Sequence, residues 1–156
     1  MKLLTSVLLS LLLASGAWGA GEDGEQTAAT NALLDYFNAF ISLDAKRIVV
    51  HFDEPFMWVS AATSASLATR ADAESWLTPL LARLKERGYG RSDWPQLQVK
   101  SVNSGLAIAS AMFIRYKTNG AELERLGATY VLRKAGDQWK IAVIVLHDPS
   151  NVLKLE

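Results

Sequence analysis

The sequence predicts an α+β fold, with helices lying on one face of a strongly bent, mainly antiparallel sheet. Apolar stripes at helical spacing fill most of the first half of the chain, whereas from Leu97 onward the strands take over. Helices first and strands afterwards is the α+β order. A further observation concerns how the sheet is covered. The last strand, Trp139 to Leu146, is apolar on both faces. By strict alternation Ile141, Val143 and Val145 point one way, and Ala142, Ile144 and Leu146 the other. Such a strand calls for helices on one side and a second cover, such as another subunit, on the other.

The small, acidic stretch 21–26 reads as a flexible start. The first helix is expected over 27–43, where Ala29, Leu33, Tyr36, Phe37 and Phe40 form one stripe. Asp44 is placed to cap a short second helix over 45–52, with Ile48, Val49 and Phe52 inward. The period then becomes two. Phe56, Trp58 and Ser60 alternate with Met57 and Val59 in a first strand after Pro55, and the small residues 60–66 suit a turn or short return strand. Thr69-Arg70-Ala71-Asp72 matches a capping box that opens a third helix, and Gly88 is a natural stop for it. Pro79 inside that helix removes a hydrogen bond and is expected to kink or split it. Residues 88–95 read as a loop. Strands over 97–102, 106–117, 126–134 and 138–147 are joined by Asn103-Ser104-Gly105, Asn119-Gly120 and Ala135-Gly136-Asp137, turn sequences that imply an antiparallel meander.

A chain of 156 residues suits one domain with its own core. Lys2, the apolar run 3–14 and the small residues around Trp18 read as a secretory leader over 1–20, cut after Gly19 or Ala20. The run is shorter than the roughly 20 residues of a membrane span. The mature protein is therefore expected to be secreted or periplasmic and free of the membrane. There is no cysteine, which excludes disulfides, thiolate metal sites and a cysteine nucleophile. Loss of Lys2 from 16 basic and 16 acidic side chains leaves a net charge of about −1, too little to recruit nucleic acid.

The order of elements resembles the nuclear-transport-factor-2-like superfamily, which includes ketosteroid isomerases, SnoaL-like cyclases and kinase association domains. The resemblance rests on Leu43-Asp44 before His51-Phe52-Asp53, on Phe56-Met57-Trp58-Val59, on Thr69-Arg70-Ala71-Asp72-Ala73, and on Trp139-Lys140-Ile141 through His147. It covers about 27–148, leaving 149–156 as a tail. It implies a cone-shaped domain whose three N-terminal helices and concave sheet enclose a cavity. It also locates the isomerase groups. Tyr36, eight residues before Asp44, falls at the donor tyrosine, but Ser60 stands at the catalytic base and Ala128 near the protonated aspartic donor. A serine without a base beside it does not replace a carboxylate, so steroid-type isomerisation is not expected.

Tyr36, Trp58, Ser60, Arg115 and His147 are the candidate pocket residues. Tyr36 reads equally as a core residue of the helix stripe. Trp58 and Ser60 share a strand face; if that face is the concave one, as the resemblance implies, they give the cavity an aromatic wall and a small polar floor, and otherwise Trp58 is simply a core residue. Arg115 follows the phase of Ala109, Ala111 and Phe113, and either meets a ligand carboxylate or leaves the sheet at the strand end. His147 exchanges a proton near neutral pH, or serves only as a strand-end hydrogen-bonding group. The two histidines have no metal-ligand spacing, and no cofactor motif is present. The expected protein is a homodimer, paired through the sheet, that binds a small apolar or weakly acidic molecule without assured catalysis. The alternatives are a SnoaL-like enzyme using His147 and Tyr36, and a protein-interaction module using the convex sheet face.

Overall fold

A computed structural model describes residues 19–155; the expected leader falls outside them except for its last two residues. Helix α1 spans Gly19–Ile41, so it starts well before Thr27. Residues 21–26, expected to be flexible, belong to its opening turns. Side chains near its start explain this. The Glu25 carboxylate accepts hydrogen bonds from Lys134 Nζ at 2.6 Å and Trp139 Nε1 at 3.2 Å, and Gln26 Oε1 accepts from the Ser101 N–H at 3.3 Å. The start of the helix is thereby tied to the ends of three strands. The expected stripe is the buried one: Ala29, Leu33, Tyr36, Phe37 and Phe40 all face the core.

Asp44 caps α2 (Ala45–Val49), its carboxylate accepting from the Lys46 N–H at 2.9 Å. The helix is shorter than expected, and Phe52 opens β1 (Phe52–Val59) instead of closing α2. The His51 carbonyl accepts from the Ile141 N–H at 2.9 Å, so the chain joins the sheet four residues before Pro55. Pairing of β1 with its neighbour lapses between Phe52 and Met57, around Pro55, which has no N–H to give. A hairpin leads to β2 (Ser64–Leu67), the short return strand.

The capping box opens α3 (Arg70–Glu86) as expected: Thr69 Oγ1 accepts from the Asp72 N–H, and Asp72 Oδ2 from the Thr69 N–H. Pro79 does not split it. Both Pro79 and Ser75, whose carbonyl loses its partner, lie on the exposed side where water meets the need. Gly88, at φ 85°, turns the chain out of the helix.

Four long strands follow: β3 (Tyr89–Asn103), β4 (Leu106–Lys117), β5 (Glu122–Ala135) and β6 (Gln138–His147). Residues 88–95, read as a loop, are mostly the first half of β3. Its ladder shifts register between Asp93 and Gln96, so Pro95 sits where pairing is already interrupted. Strand β5 likewise begins at Glu122, four residues before Leu126. The sheet order is β2-β1-β6-β5-β4-β3, with only β1 and β6 parallel.

Strict alternation fails in β6. Leu132 pairs with Ile141 and Val131 with Val143, so Ala142 is an extra residue, a bulge. Ile141 and Ile144 therefore share the inner face with Trp139, and all three are buried. Val143, Val145 and His147 turn to the outer, convex face, opposite Val131, Thr129 and Gly127. The core lies between the helices and the concave face. Part of the outer face carries the chain's own tail, which passes through a 3₁₀ turn at Pro149–Asn151. There the Leu153 N–H donates to Ser110 Oγ at 2.9 Å and the Leu155 N–H to Gln98 Oε1 at 2.8 Å.

Candidate functional site

The interior of the cone is filled by rings. Tyr36, Phe37, Phe40, Trp94, Phe113 and Tyr130, with Ser92 and Arg115, surround a void of only about 20 Å³. That is space for about one water molecule and no organic ligand. Phe37 stacks on Trp94 at 4.1 Å between centroids, and Tyr36 meets Phe37, Phe40, Phe52 and Tyr130 at 5.6 to 6.2 Å. Burial pushes both tyrosine hydroxyls, of Tyr36 and Tyr130, well above their ordinary range. Tyr36 is thus a core residue at the edge of a small void.

A second cavity opens outside this floor, between α3 and the end of the sheet. It measures about 310 Å³, near the lower end of the range for small-molecule sites. Phe40, Trp58, Leu77, Leu80, Leu84 and Leu146 form its apolar walls, and Arg83, Arg87 and Arg115 are the charged residues that line it among the described residues. Helical spacing brings Leu77, Leu80, Leu81 and Leu84 onto one face of α3. Trp58 packs on Trp76 of the same helix at 5.1 Å. Two wider depressions, of about 460 and 600 Å³, lie beside α2 and beside His51, both lined by mixed polar and apolar residues.

Arg115 stands between the void and the groove and lines both. It is directly opposite Glu124 in the β4–β5 ladder, two residues beyond the inward pair Phe113 and Leu126. Glu124 bridges two arginines, with Oε1 on Arg115 Nη1 at 2.5 Å and Oε2 on Arg87 Nη2 at 2.6 Å. Burial would raise the Glu124 carboxyl; hydrogen bonds and charge from Arg115, and then from Arg87, outweigh it and hold the group below the usual range. The Arg115 guanidinium also lies 5.0 Å from the ring centres of Phe40 and Phe113. Its Nε is buried and without a hydrogen-bond partner among the described residues.

Of the five candidates, the structure brings Tyr36 and Arg115 to the void and Trp58 and Arg115 to the groove. Ser60 lies outside both. It is a turn residue whose Oγ donates to the Thr63 carbonyl at 3.1 Å and accepts from the Thr63 N–H at 3.1 Å. The hairpin starts one residue too early for strand alternation to carry Ser60 inward. His147 is on the outer face, because the bulge at Ala142 reverses the phase of the strand end. Its Nδ1 lies 2.9 Å from the Asp148 carbonyl and its Nε2 3.1 Å from Thr129 Oγ1. A carbonyl only accepts, so Nδ1 carries a proton. Ala128 is buried opposite Ala111 and Leu146, with no acid there. Glu124, Arg87 and Arg83 were not singled out by the sequence. Counting outward from the Asn119-Gly120 turn places Arg115 opposite Glu124, and that symmetry is the signal that could have found the pair.

Among the described residues no three His, Cys, Asp or Glu side chains stand together as a metal site. No described helix is long and apolar enough to cross a membrane.

These features define a cone-shaped α+β domain with a filled interior and an apolar groove edged by arginines. The chain belongs to the family described as NTF2-like protein (DUF6841), whose model matches residues 25–149. Three solved structures share the fold. An NTF2-like protein of unknown function from Pseudomonas putida is 13% identical, with a TM-score of 0.65, over 80% of this chain and 86% of that one. An NTF2-like protein with a cystatin-like fold from Novosphingobium aromaticivorans is 15% identical, with a TM-score of 0.63, over 80% of each chain. A domain of unknown function with a cystatin-like fold from Nostoc punctiforme is 16% identical, also with a TM-score of 0.63, over 90% of this chain and 81% of that one. Comparison with curated protein sequences gives no match.

Proposed function

We propose that this NTF2-like domain binds a small, largely apolar or weakly acidic molecule in the groove between α3 and the sheet. The carrying observation is the groove of about 310 Å³, walled by Trp58, Phe40 and leucines and edged by arginine. The filled interior argues against a ligand deep in the cone. Catalysis by Tyr36 with His147 is not part of this reading, since the two groups lie on opposite faces of the sheet.

Tryptophan fluorescence and thermal melting test it together, because Trp58 lines the groove and Trp76 packs on it. A ligand at 100 times its Kd is expected to stabilise the fold by about 2.7 kcal/mol. A panel of lipophilic acids, steroids and polyketide-like compounds that moves neither signal would sink the proposal.

The same reading takes the protein as exported to the periplasm or medium, supported by the leader pattern over 1–20. Cell fractionation with N-terminal sequencing checks this; a cytoplasmic chain that retains residue 2 would reject it. It also takes two copies to pair through the outer sheet face, where Met57, 41% exposed, continues the strip of Val59, Val143 and Val145. Sedimentation at micromolar concentration decides between monomer and dimer.

A further inference from the structure

A carboxylate already pairs with two of the arginines that line the groove. Glu124 offers one carboxylate to two guanidinium groups, from Arg115 on the inner face of β4 and Arg87 at the end of α3. Arg115 is the buried partner, its side chain only 13% exposed, whereas the Arg87 side chain is 50% exposed and free to follow a different anion. Arg83, also at the groove, has no ion pair among the described residues. Three guanidinium groups therefore line the groove, and one carboxylate, that of Glu124, pairs with two of them. Planar guanidinium groups match a carboxylate with paired hydrogen bonds.

We infer that the ligand is an amphipathic monocarboxylate, whose head group displaces Glu124 from Arg87 and Arg115 while its apolar body lies along Trp58, Leu77, Leu80 and Leu146. This rests on the groove being the binding site and adds what chemistry it selects. Glu124 is then a competitor held in place until ligand arrives. It keeps Arg115 paired in the empty protein, because an unpaired charge is costly at such burial. A neutral ligand of the same shape would gain the apolar contacts alone. A cationic one would meet repulsion from three arginines.

Decanoate, decanol and decylamine, titrated at pH 7.5 by calorimetry, separate these contributions. Decanoate is expected to bind about tenfold tighter than decanol, and decylamine weaker than both. In Arg87→Gln, at a half-exposed position that tolerates change, the preference for acid over alcohol narrows severalfold. In Glu124→Gln the competitor is neutral, and decanoate binds more tightly and raises the melting temperature further than in the unaltered protein. Equal binding of decanoate and decanol overturns the inference and leaves the groove as an apolar site. A Glu124→Gln variant that is folded, by circular dichroism, yet binds decanoate more weakly also overturns it. Absence of binding by all three compounds overturns both this inference and the groove reading.

Discussion

His147 lies over Gly127 on the outer face, so close that a methyl group at position 127 would stand 2.4 Å from Nδ1 and 2.7 Å from the Asp148 carbonyl oxygen. The contact fixes the exit of the chain from β6. It also fills the outer face with a ring where the cavity expectation required one inside.

Gly127→Ala is therefore expected to destabilise the protein by about 1–3 kcal/mol, the usual range for overpacking. Adding His147→Ala should restore only part of that, because the Asp148 carbonyl still stands in the way. Urea denaturation of the single and double variants measures both steps. Full restoration would mean that the ring alone sets the constraint.

Stability should fall with acid below about pH 4. Burial alone would raise the Asp53 carboxyl, but hydrogen bonds from Arg133 at 2.5 and 2.7 Å, and one from the Glu54 N–H, hold it below the usual range. Glu25 and Glu124 are lowered as well, by Lys134 and by Arg115 with Arg87. A carboxyl whose folded pKa is depressed lends stability above its unfolded value, near 4, and loses it as pH falls through the folded value. Melting temperature against pH, compared between the unaltered protein and Asp53→Asn, should show a shallower acid limb in the variant.

His51 gives a second pH response at milder acidity. Burial, then the charge of Lys140, lowers it against the opposing pull of Asp35. The unfolded chain thus binds this proton more readily, so stability declines as pH drops below about 6.5. Replacing His51 with Gln should flatten the melting curve between roughly pH 5 and 7. An unchanged slope would assign that region to other groups.

Glu25→Ala should release the first turns of α1 from Lys134 and Trp139. Ion pairs at the surface contribute little to global stability, so the melting temperature is expected to change only slightly. The local effect is larger: amides near residue 25 should exchange faster in hydrogen-exchange mass spectrometry, with β4 and β5 unchanged.

Groove and void make opposite demands on two aromatic residues. Trp58→Ala should weaken any groove ligand by about tenfold, through the lost wall. Tyr36→Phe removes only a hydroxyl at a void of about 20 Å³ and should leave affinity unchanged. Titration of both variants with the same ligand tests the placement.

The buried stripe of α1, the Asp44 cap, the Thr69–Asp72 capping box and the β3-to-β6 meander were legible because each depends on local spacing or on a turn. What escaped the sequence depends on neighbours distant in the chain. Residues 21–26 become helix where Lys134 and Trp139 meet Glu25. Residues 89–95 become strand because Lys117, Tyr116, Arg115 and Ile114 offer a ladder. The bulge at Ala142 carries no residue signal, yet it turns His147 outward and brings Ile144 inward. Trp58 and Arg115 followed from phase alone. Glu124 required the hairpin register, and Arg83 and Arg87 required knowing where α3 ends against the sheet.

The sheet order gives the last strand a particular place in the history of each molecule. Without residues 138–147 the strand order leaves β1 and β2 as one fragment and β3, β4 and β5 as another, each with an open edge where β6 would pair. Only β6 joins them, pairing Phe52 with Ile141 and Leu132 with the same residue from the other side. Contacts of such long sequence separation are slow to form, and open strand edges invite pairing between chains meanwhile. Completion of this sheet therefore waits for β6, and a chain cut short before Gln138 leaves two half-sheets linked through the packing of α3 and not by strand pairing.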